Sequence, residues 1–445
     1  MSIIKGALAS FIIKIGTAGA TFLFFLITAR ILTPEEFGRF GFLFSVGMFF
    51  AYVIMFGQHT LLLRWIAACN SKGEFRRSID LVSRSFLLVV VWIVLCASIL
   101  YVMTRLFPSK IALSQLEYVL IVTYAAVFAV SELAISILRA LGRVVLAIAP
   151  RDILWRSIFV ATVWVLSFVL SEKLDSGNVF LLLVITLAAV VSVQASYALF
   201  VLVRLRSGDA QNSAEFTLEE RKDLRRSTIW YWFAGVAAIA SANLGVAFAS
   251  MVLTDAETGG FVAAQKISLL LQLPLVAMNI VLAPKIAELF YNQRREEIQS
   301  ILRVISIILT VYTIVCFAFI LILADWTLYI FNPAFVQYKN SLIILSVGMF
   351  VNTICGPTGV LLLMAGGEKV HVILLAIFES LGLLLIFALG PKFGVPGVAM
   401  ASTIGAICWN LVAVYWCRQN LTIDPSALNL FKIGLPSWKD RFRNS

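Results

Sequence analysis

Ser10, Lys14, Thr17, Thr21 and Thr28 follow one another at steps of four, three, four and seven through an otherwise apolar stretch. On a helix those steps bring all of them to one face. Hydroxyls on such a face can pack helices together, and Lys14 adds a cation that either faces an interior cavity, where it could hold an anion, or snorkels to the interface. A second polar stripe, Gln265, Ser268, Gln272 and Asn279, recurs at steps of three, four and seven, with Lys266 one position off it. Arg64 stands at the end of a further apolar run, and Lys285 at the end of the run that carries the second stripe. The deepest carboxylates, Glu132 and Glu379, are candidates either for coupling to a proton or sodium ion or for pairing with a nearby Arg or Lys. The chemistry on offer is ion pairing and hydrogen bonding inside a bilayer, with no catalytic constellation and no cofactor. His59 and His371, the only histidines, have no acid or cysteine at ligand spacing and predict no metal site.

The elements that must carry these residues are set by composition. The chain has 445 residues, of which 61% are hydrophobic and 13% charged, and a mean hydropathy of +0.97. That leaves too little polar surface for a soluble globule. Stretches long enough to cross about 30 Å of hydrocarbon run over 7–31, 39–63, 82–106, 115–138, 146–170, 179–203, 228–253, 259–284, 299–324, 340–364, 370–390 and 394–417. The expected architecture is an all-α integral membrane protein of twelve transmembrane helices, six in each half.

The halves share a phrase. Leu32, Thr33, Glu36, Gly38 and Phe40 recur as Leu253, Thr254, Glu257, Gly259 and Phe261, each displaced by 221 positions. The same displacement relates Gln58 to Asn279 and Arg64 to Lys285. At this shift the polar face of the first helix corresponds to Gly235, Ala238, Ala242 and Ala249, which are small and uncharged. A duplicated bundle predicts a path between its lobes, and the two polar stripes predict a hydrophilic chamber along it.

With residue 1 inside, 24 of the 35 basic residues fall in inner loops and tails and seven in outer loops, while Lys14, Arg64, Arg156 and Lys266 lie within spans or at their margins. Both termini are therefore expected to be cytoplasmic. The net charge of +11 reflects this bias and is not evidence for nucleic acid. Residues 204–227 read as a cytoplasmic amphipathic linker, because Thr217 and Glu220 have capping-box spacing and Leu218 and Leu224 alternate with Arg221, Lys222, Arg225 and Arg226. It divides a lobe over 1–203 from a lobe over 228–417, followed by a cytoplasmic tail over 418–445. The first apolar segment reads as a span rather than a cleaved signal, and the six scattered cysteines imply no disulfide framework.

The run Ala29-Arg30-Ile31-Leu32-Thr33-Pro34-Glu35-Glu36-Phe37-Gly38, followed by Gly57-Gln58 and Arg64, resembles the opening of Wzx-type polysaccharide flippases. Ala264-Gln265-Lys266-Ile267 with Leu273-Pro274-Leu275 and Pro284, Phe331-Asn332-Pro333-Ala334-Phe335, and Gly394-Val395-Pro396-Gly397-Val398-Ala399 are similar to later parts of that family, in the same order. The resemblance implies the multidrug, oligosaccharidyl-lipid and polysaccharide (MOP) exporter superfamily, with two six-helix lobes related by a pseudo-two-fold axis along the membrane normal. It implies residence in the bacterial inner membrane and a cargo of oligosaccharide on undecaprenyl pyrophosphate, flipped from the cytoplasmic to the periplasmic leaflet for O-antigen or another surface polysaccharide. A polysaccharide polymerase and a chain-length regulator are the partners it suggests. On this reading Lys14, Arg64, Lys266 and Lys285 would hold the diphosphate, and Thr17, Thr21, Gln58, Gln272 and Asn279 would supply hydrogen bonds.

Other readings stay open. A multidrug exporter or a lipid-linked peptidoglycan precursor exporter of the same superfamily would share the architecture. The first should prefer an acidic chamber, and the second commonly carries two more helices. A membrane polysaccharide polymerase or ligase should carry a sizeable outer loop with catalytic groups, which the spacing of these spans does not provide.

Overall fold

The computed structural model describes residues 2–71, 74–106, 113–169, 174–206 and 216–427, with the side chains of residues 2–15 outside the described part. Its helices are α1 (Ser2–Ile31), α2 (Pro34–Met55), α3 (Gln58–Ser71), α4 (Phe75–Leu106), α5 (Gln115–Ala140), α6 (Val144–Ala149), α7 (Trp155–Val169) and α8 (Ser176–Arg206) in the first half. The second half holds α9 (Leu218–Ala249), α10 (Asp255–Ser268), α11 (Leu273–Tyr291), α12 (Arg295–Phe331), α13 (Lys339–Ile354), α14 (Thr358–Met364) and α15 (Glu368–Trp416). Nine stretches among the described residues are long and apolar enough to cross a membrane. The last of them contains two spans, because the chain kinks at Gly394 (φ 60°) and Gly382 then lies against Gly405 of the returning arm. Gly16–Ile31 and the apolar part of α9 supply the first and seventh spans. The twelve expected segments thus all lie in these helices and their short breaks, and the protein is an all-helical, multi-pass membrane protein.

Four expected spans are interrupted, each for a local reason. Phe56 (φ 44°) and Gly57 (φ 70°) separate α2 from α3, and a Cβ on Gly57 would lie 2.5 Å from the Thr228 carbonyl oxygen, so only glycine lets α9 approach there. Pro150 has no N–H for the Leu146 carbonyl, and the rod between α6 and α7 widens into a π turn over Pro150–Leu154. The Gln194 amide donates to the Leu146 and Ala147 carbonyls at 3.3 and 2.6 Å. Pro274 likewise frees the Leu270 carbonyl, which accepts from the Tyr312 hydroxyl at 3.0 Å beside the 3-10 turn Leu269–Gln272. Gly356 (φ 74°) breaks the tenth span and admits the Pro425 carbonyl, which would lie 2.1 Å from a Cβ there.

Two boundaries differ from the reading of the linker and tail. The capping box at Thr217 and Glu220 is present, but it opens α9, which runs unbroken through residue 249. No glycine or proline intervenes before Gly235 to end a separate surface helix. The described part of the linker is therefore the first turns of span seven, while residues 207–215 lie outside the described residues. Of the tail, residues 428–445 lie outside the described residues, and the part before them folds back onto α12. Gln299 accepts from the Asp424 N–H at 2.7 Å, the Ser306 hydroxyl donates to the Pro425 carbonyl at 3.3 Å, and Arg418 pairs with Asp424 at 2.9 Å.

The core is asymmetric along the bundle. A large cluster of buried apolar side chains joins the lobes, including Phe24, Phe37 and Phe40 from the first and Phe261, Phe331 and Phe335 from the second. A second, smaller cluster (Leu275, Leu282, Ile286, Leu302, Leu361 and neighbours) belongs to the second lobe alone. The lobes therefore share a core at the end that carries residues 32–44, while toward the basic end the second lobe has a core of its own and meets the first through α9, whose Leu224 and Tyr231 pack against the larger cluster.

Candidate functional site

The repeated phrase is a helix start and a lobe contact at once. Thr33 caps α2 by accepting from the Glu36 N–H at 3.3 Å, and Thr254 caps α10 from the Glu257 N–H at 3.3 Å, each satisfying a backbone donor the helix leaves unpaired. Glu257 closes a capping box by accepting from the Thr254 N–H at 2.9 Å, whereas Glu36 accepts instead from the Ser176 N–H at 2.6 Å. The glycines then meet. A Cβ on Gly38 would lie 1.7 Å from the Asp255 carbonyl oxygen and 2.8 Å from the Gly259 nitrogen, and one on Gly259 would lie 2.6 Å from the Pro34 carbonyl oxygen. The two copies thus interlock backbone to backbone across the seam, in the reciprocal manner of a two-fold contact. Around them Phe37 meets Phe335 at 5.8 Å, Phe22 meets Phe331 at 5.4 Å, and the Asn332 amide donates to the Ala29 carbonyl at 3.3 Å.

Carboxylates crowd this seam. Asp255 begins α10, outside the hydrocarbon-spanning stretch, and its carboxyl is held above the usual range. Desolvation is the main cause; Arg39 opposes it, and the carboxylates of Glu117, Glu36 and Glu35 add to the rise. Arg39 is itself committed to Glu117 through contacts of 2.5 and 2.8 Å. Parting the lobes rehydrates Asp255, so the shut seam holds its proton more tightly than the open one. Acidification through the raised value should favour the shut seam, and raising the pH through it should weaken the contact. A spin pair across the seam should report more shut protein on acidification, and Asp255→Asn should flatten that response. An unchanged response in Asp255→Asn would assign the titration to another group.

The second lobe encloses a polar cavity of about 370 Å3 between α9, α10, α13 and the two arms of α15. Gln265, Gln272, Asn352, Glu379, Thr403 and Asn410 line it, with Gly245, Gly348 and Gly405 leaving room. Gln272 accepts from the Asn352 amide at 3.1 Å, while Gln265 Oε1 and Asn410 Oδ1 are buried without a hydrogen-bond partner among the described residues. Among the described residues Glu379 is the only charged side chain in the lining. Such a cavity can accept and donate hydrogen bonds to a polar ligand. Asn352 and Asn410 were not singled out in the sequence, although each is an amide deep in an apolar span, the same signal that marked Gln272.

In the first lobe the buried charges form a network. Glu132 on α5 pairs with Arg151, which also pairs with Asp152 at 2.8 Å, and the Arg156 guanidinium donates to the Asp152 carbonyl oxygen at 2.6 Å. Their side chains are 15% exposed or less, and among the described residues two cations meet two anions there. Of the two roles open to Glu132, the geometry is that of an ion-pair partner. Arg151 is packed over the Phe128 ring at 4.8 Å, just after Pro150 in the π turn Pro150–Leu154. Asp152, missed in the sequence, sits between the two arginines in one apolar span, and the spacing Arg151-Asp152-Arg156 was the available signal.

The other candidates are dispersed. Lys14 lies among the residues whose side chains are not described. Thr21 donates to the Thr17 carbonyl at 2.6 Å within α1. Gln58 is 1% exposed and accepts from the Ser85 hydroxyl at 2.7 Å, tying α3 to α4. Arg64 is exposed and donates to the Tyr231 hydroxyl at 3.0 Å, across to α9. Lys266 points away from the cavity onto the Phe25 ring at 4.4 Å, a cation–π contact between lobes. Lys285 is exposed and pairs with Glu288 on its own helix at 3.1 Å, and Asn279 keeps a buried Oδ1 without a partner among the described residues. Of the residues named from the sequence, Gln265, Ser268, Gln272 and Glu379 meet in the cavity.

The fold is shared with solved structures. The chain superposes on the inward-facing conformation of a multidrug resistance MATE family transporter of the MOP superfamily with a TM-score of 0.74 at 16% identity, covering 95% of this chain and 100% of that one. For the outward-facing conformation of such a transporter the TM-score is 0.63 at 15% identity, with 94% and 95% covered. A MOP superfamily transporter from Pyrococcus furiosus, described as having a binding pocket of reverse polarity, gives 0.64 at 17% identity, with 94% and 96% covered. No curated protein sequence matches the chain. A family model described as polysaccharide biosynthesis protein matches residues 3–290, more than half of the chain. With two lobes locked through a repeated glycine contact in the fold of MOP superfamily transporters, the chain belongs to the polysaccharide biosynthesis protein family.

Proposed function

We propose that this protein is a flippase that moves an oligosaccharide repeat unit, carried on undecaprenyl pyrophosphate, from the cytoplasmic to the periplasmic leaflet of the bacterial inner membrane by alternating access. The observation that carries the reading is the asymmetry of the bundle, in which the lobes interlock at Gly38 and Gly259 and the second lobe keeps a core of its own toward the basic end. This is the form expected of a carrier open toward the side on which the cargo is made. Amides and hydroxyls around the second-lobe cavity suit sugar hydroxyls, and the prenyl tail can remain in lipid. Arg64, whose described partner is the neutral Tyr231 hydroxyl, is the favoured diphosphate partner together with Lys14; Lys285 comes second because Glu288 pairs with it, and Lys266 because it is packed on the Phe25 ring. Glu379 is the favoured site for coupling to a proton or sodium because it lines the cavity, whereas Glu132 does not. Both termini are cytoplasmic on this reading. The product would supply O-antigen or another surface polysaccharide, through a polymerase and its chain-length regulator.

One observation favours a second reading. Among the described residues the cavity lining contains a carboxylate and no cation, which would suit a multidrug exporter of organic cations. Deleting the gene separates the two. The flippase reading expects complete lipid-linked repeat units held in the cytoplasmic leaflet and loss of polymer outside the cell. Repeat units that reach the outer leaflet in the mutant, or a defect limited to sensitivity to cationic drugs, would overturn it.

A further inference from the structure

Among the described residues, every hydroxyl that lines the second-lobe cavity already gives its proton to a backbone carbonyl. Ser268 donates to the Gln265 carbonyl at 2.9 Å, Ser402 to the Val398 carbonyl at 3.1 Å and Thr403 to the Ile344 carbonyl at 3.0 Å. A hydroxyl has one proton and two lone pairs, so toward a ligand all three act as acceptors. Side-chain amides extend the set. Asn410 Nδ2 donates to the Ala406 carbonyl at 2.8 Å, and Asn410 Oδ1 and Gln265 Oε1 are buried without a partner among the described residues. The donors of the lining are uncharged. Gln272 Oε1 accepts from Asn352, which leaves the Gln272 amide N–H groups to donate, and the buried Trp409 indole N–H has no partner among the described residues. No cation lines the cavity among those residues, since Lys266, beside Gln265 in sequence, is turned onto Phe25.

A wall of acceptors sorts ligands by their protons. Ionised carboxylates and phosphates only accept, so here they would face lone pairs, with no cation to offset the water they give up. A lipophilic organic cation brings charge but few O–H or N–H donors. A sugar hydroxyl both donates and accepts, so one ring can give protons to the Ser268, Ser402, Thr403 and Asn410 oxygens and accept from the amide and indole N–H groups. We infer that the cavity is the sugar subsite of the flippase reading given above, and that it selects a neutral pyranose while turning away uronic acids and the diphosphate. The selection does not need Glu379, because the neutral oxygens alone disfavour an anion. At about 370 Å3 the cavity is near the small end of ligand pockets, so it takes sugar rings and leaves the lipid carrier outside. The diphosphate must then be held elsewhere, which agrees with the dispersal of the cationic candidates away from this lining.

The test uses the purified full chain in detergent and saturation-transfer NMR. The probes are the methyl glycosides of glucose, galactose and mannose, each set against its own uronate at neutral pH, so that paired probes differ only in a hydroxymethyl or a carboxylate at C6. A neutral glycoside should bind at least about tenfold more tightly than its uronate, and Asn410→Leu with Ser402→Ala should weaken it by about tenfold. Glu379→Met should keep the neutral sugar ahead. Equal or tighter binding of the uronates, unchanged binding in the double variant, or a preference that disappears in Glu379→Met would each overturn the inference. The flippase reading would survive any of these, since it depends on where repeat units collect when the gene is deleted. Binding of no glycoside would overturn the inference as well, and if tetraphenylphosphonium bound instead, the multidrug reading would replace the flippase one. The comparison of paired probes on the unaltered protein decides the matter even if a variant fails to fold.

Discussion

Gly38→Ala is expected to abolish transport while leaving the protein in the membrane. The added methyl would sit 1.7 Å from the Asp255 carbonyl oxygen and within 2.8 Å of the Gly259 nitrogen. Both neighbours are backbone at the amino end of α10, so neither can rotate away as a side chain would. Overpacking usually costs 1–3 kcal/mol and more where backbone must move. About 1.4 kcal/mol per tenfold in an equilibrium then implies that the shut seam loses at least about a factor of ten in population. The lobes themselves stay intact, because the methyl disturbs only the surface between them. Solvent should consequently reach single cysteines placed beside the seam, and spin pairs across it should lengthen. Gly19→Ala, which meets no atom within 4 Å, should do neither. A Gly38→Ala protein that transports normally with its seam still shut would remove the interlock from any alternating-access scheme.

Arg151→Gln is expected to have the largest effect on stability. It strips the cation from Glu132 and from Asp152, both nearly buried, and a buried charge left without its partner typically costs about 3–5 kcal/mol. Most of the protein should fail to accumulate. Adding Glu132→Gln should recover much of the loss, since Asp152 with Arg156 remains a balanced pair and the two amides can bond each other. Yield and melting temperature of the single and double variants would measure the coupling. Strict additivity would mean that Glu132 and Arg151 do not act as a pair. Normal yield with lost transport in Glu132→Gln alone would return the coupling role to that carboxylate.

The amino-acid sequence by itself determined the solvent, the number of spans and the local helix starts. Sixty-one per cent hydrophobic residues can be buried only in a bilayer. The helix starts at Thr217 and Thr254 follow from side chains three residues from their partners, and such short-range chemistry is legible in one dimension. The repeat was legible too, although its purpose was not. Gly38 and Gly259 are 221 positions apart, and only the docking of the lobes brings each against the other's helix start.

Tertiary structure alone decided which polar residues share a site. Periodicity places Gln265, Ser268 and Gln272 on one face of a helix, but it is silent on what that face meets. Asn352, Glu379 and Asn410 come to it from three other spans. The fate of the cations was decided in the same way. Lys266, one residue off the stripe, turns onto Phe25, and Glu132 finds Arg151 just after Pro150 in a π turn. In hydrocarbon an isolated charge costs far more than a paired one, so each buried charge goes to the partner that the fold places within reach, in another span for Lys266 and Glu132 and within the same span for Asp152.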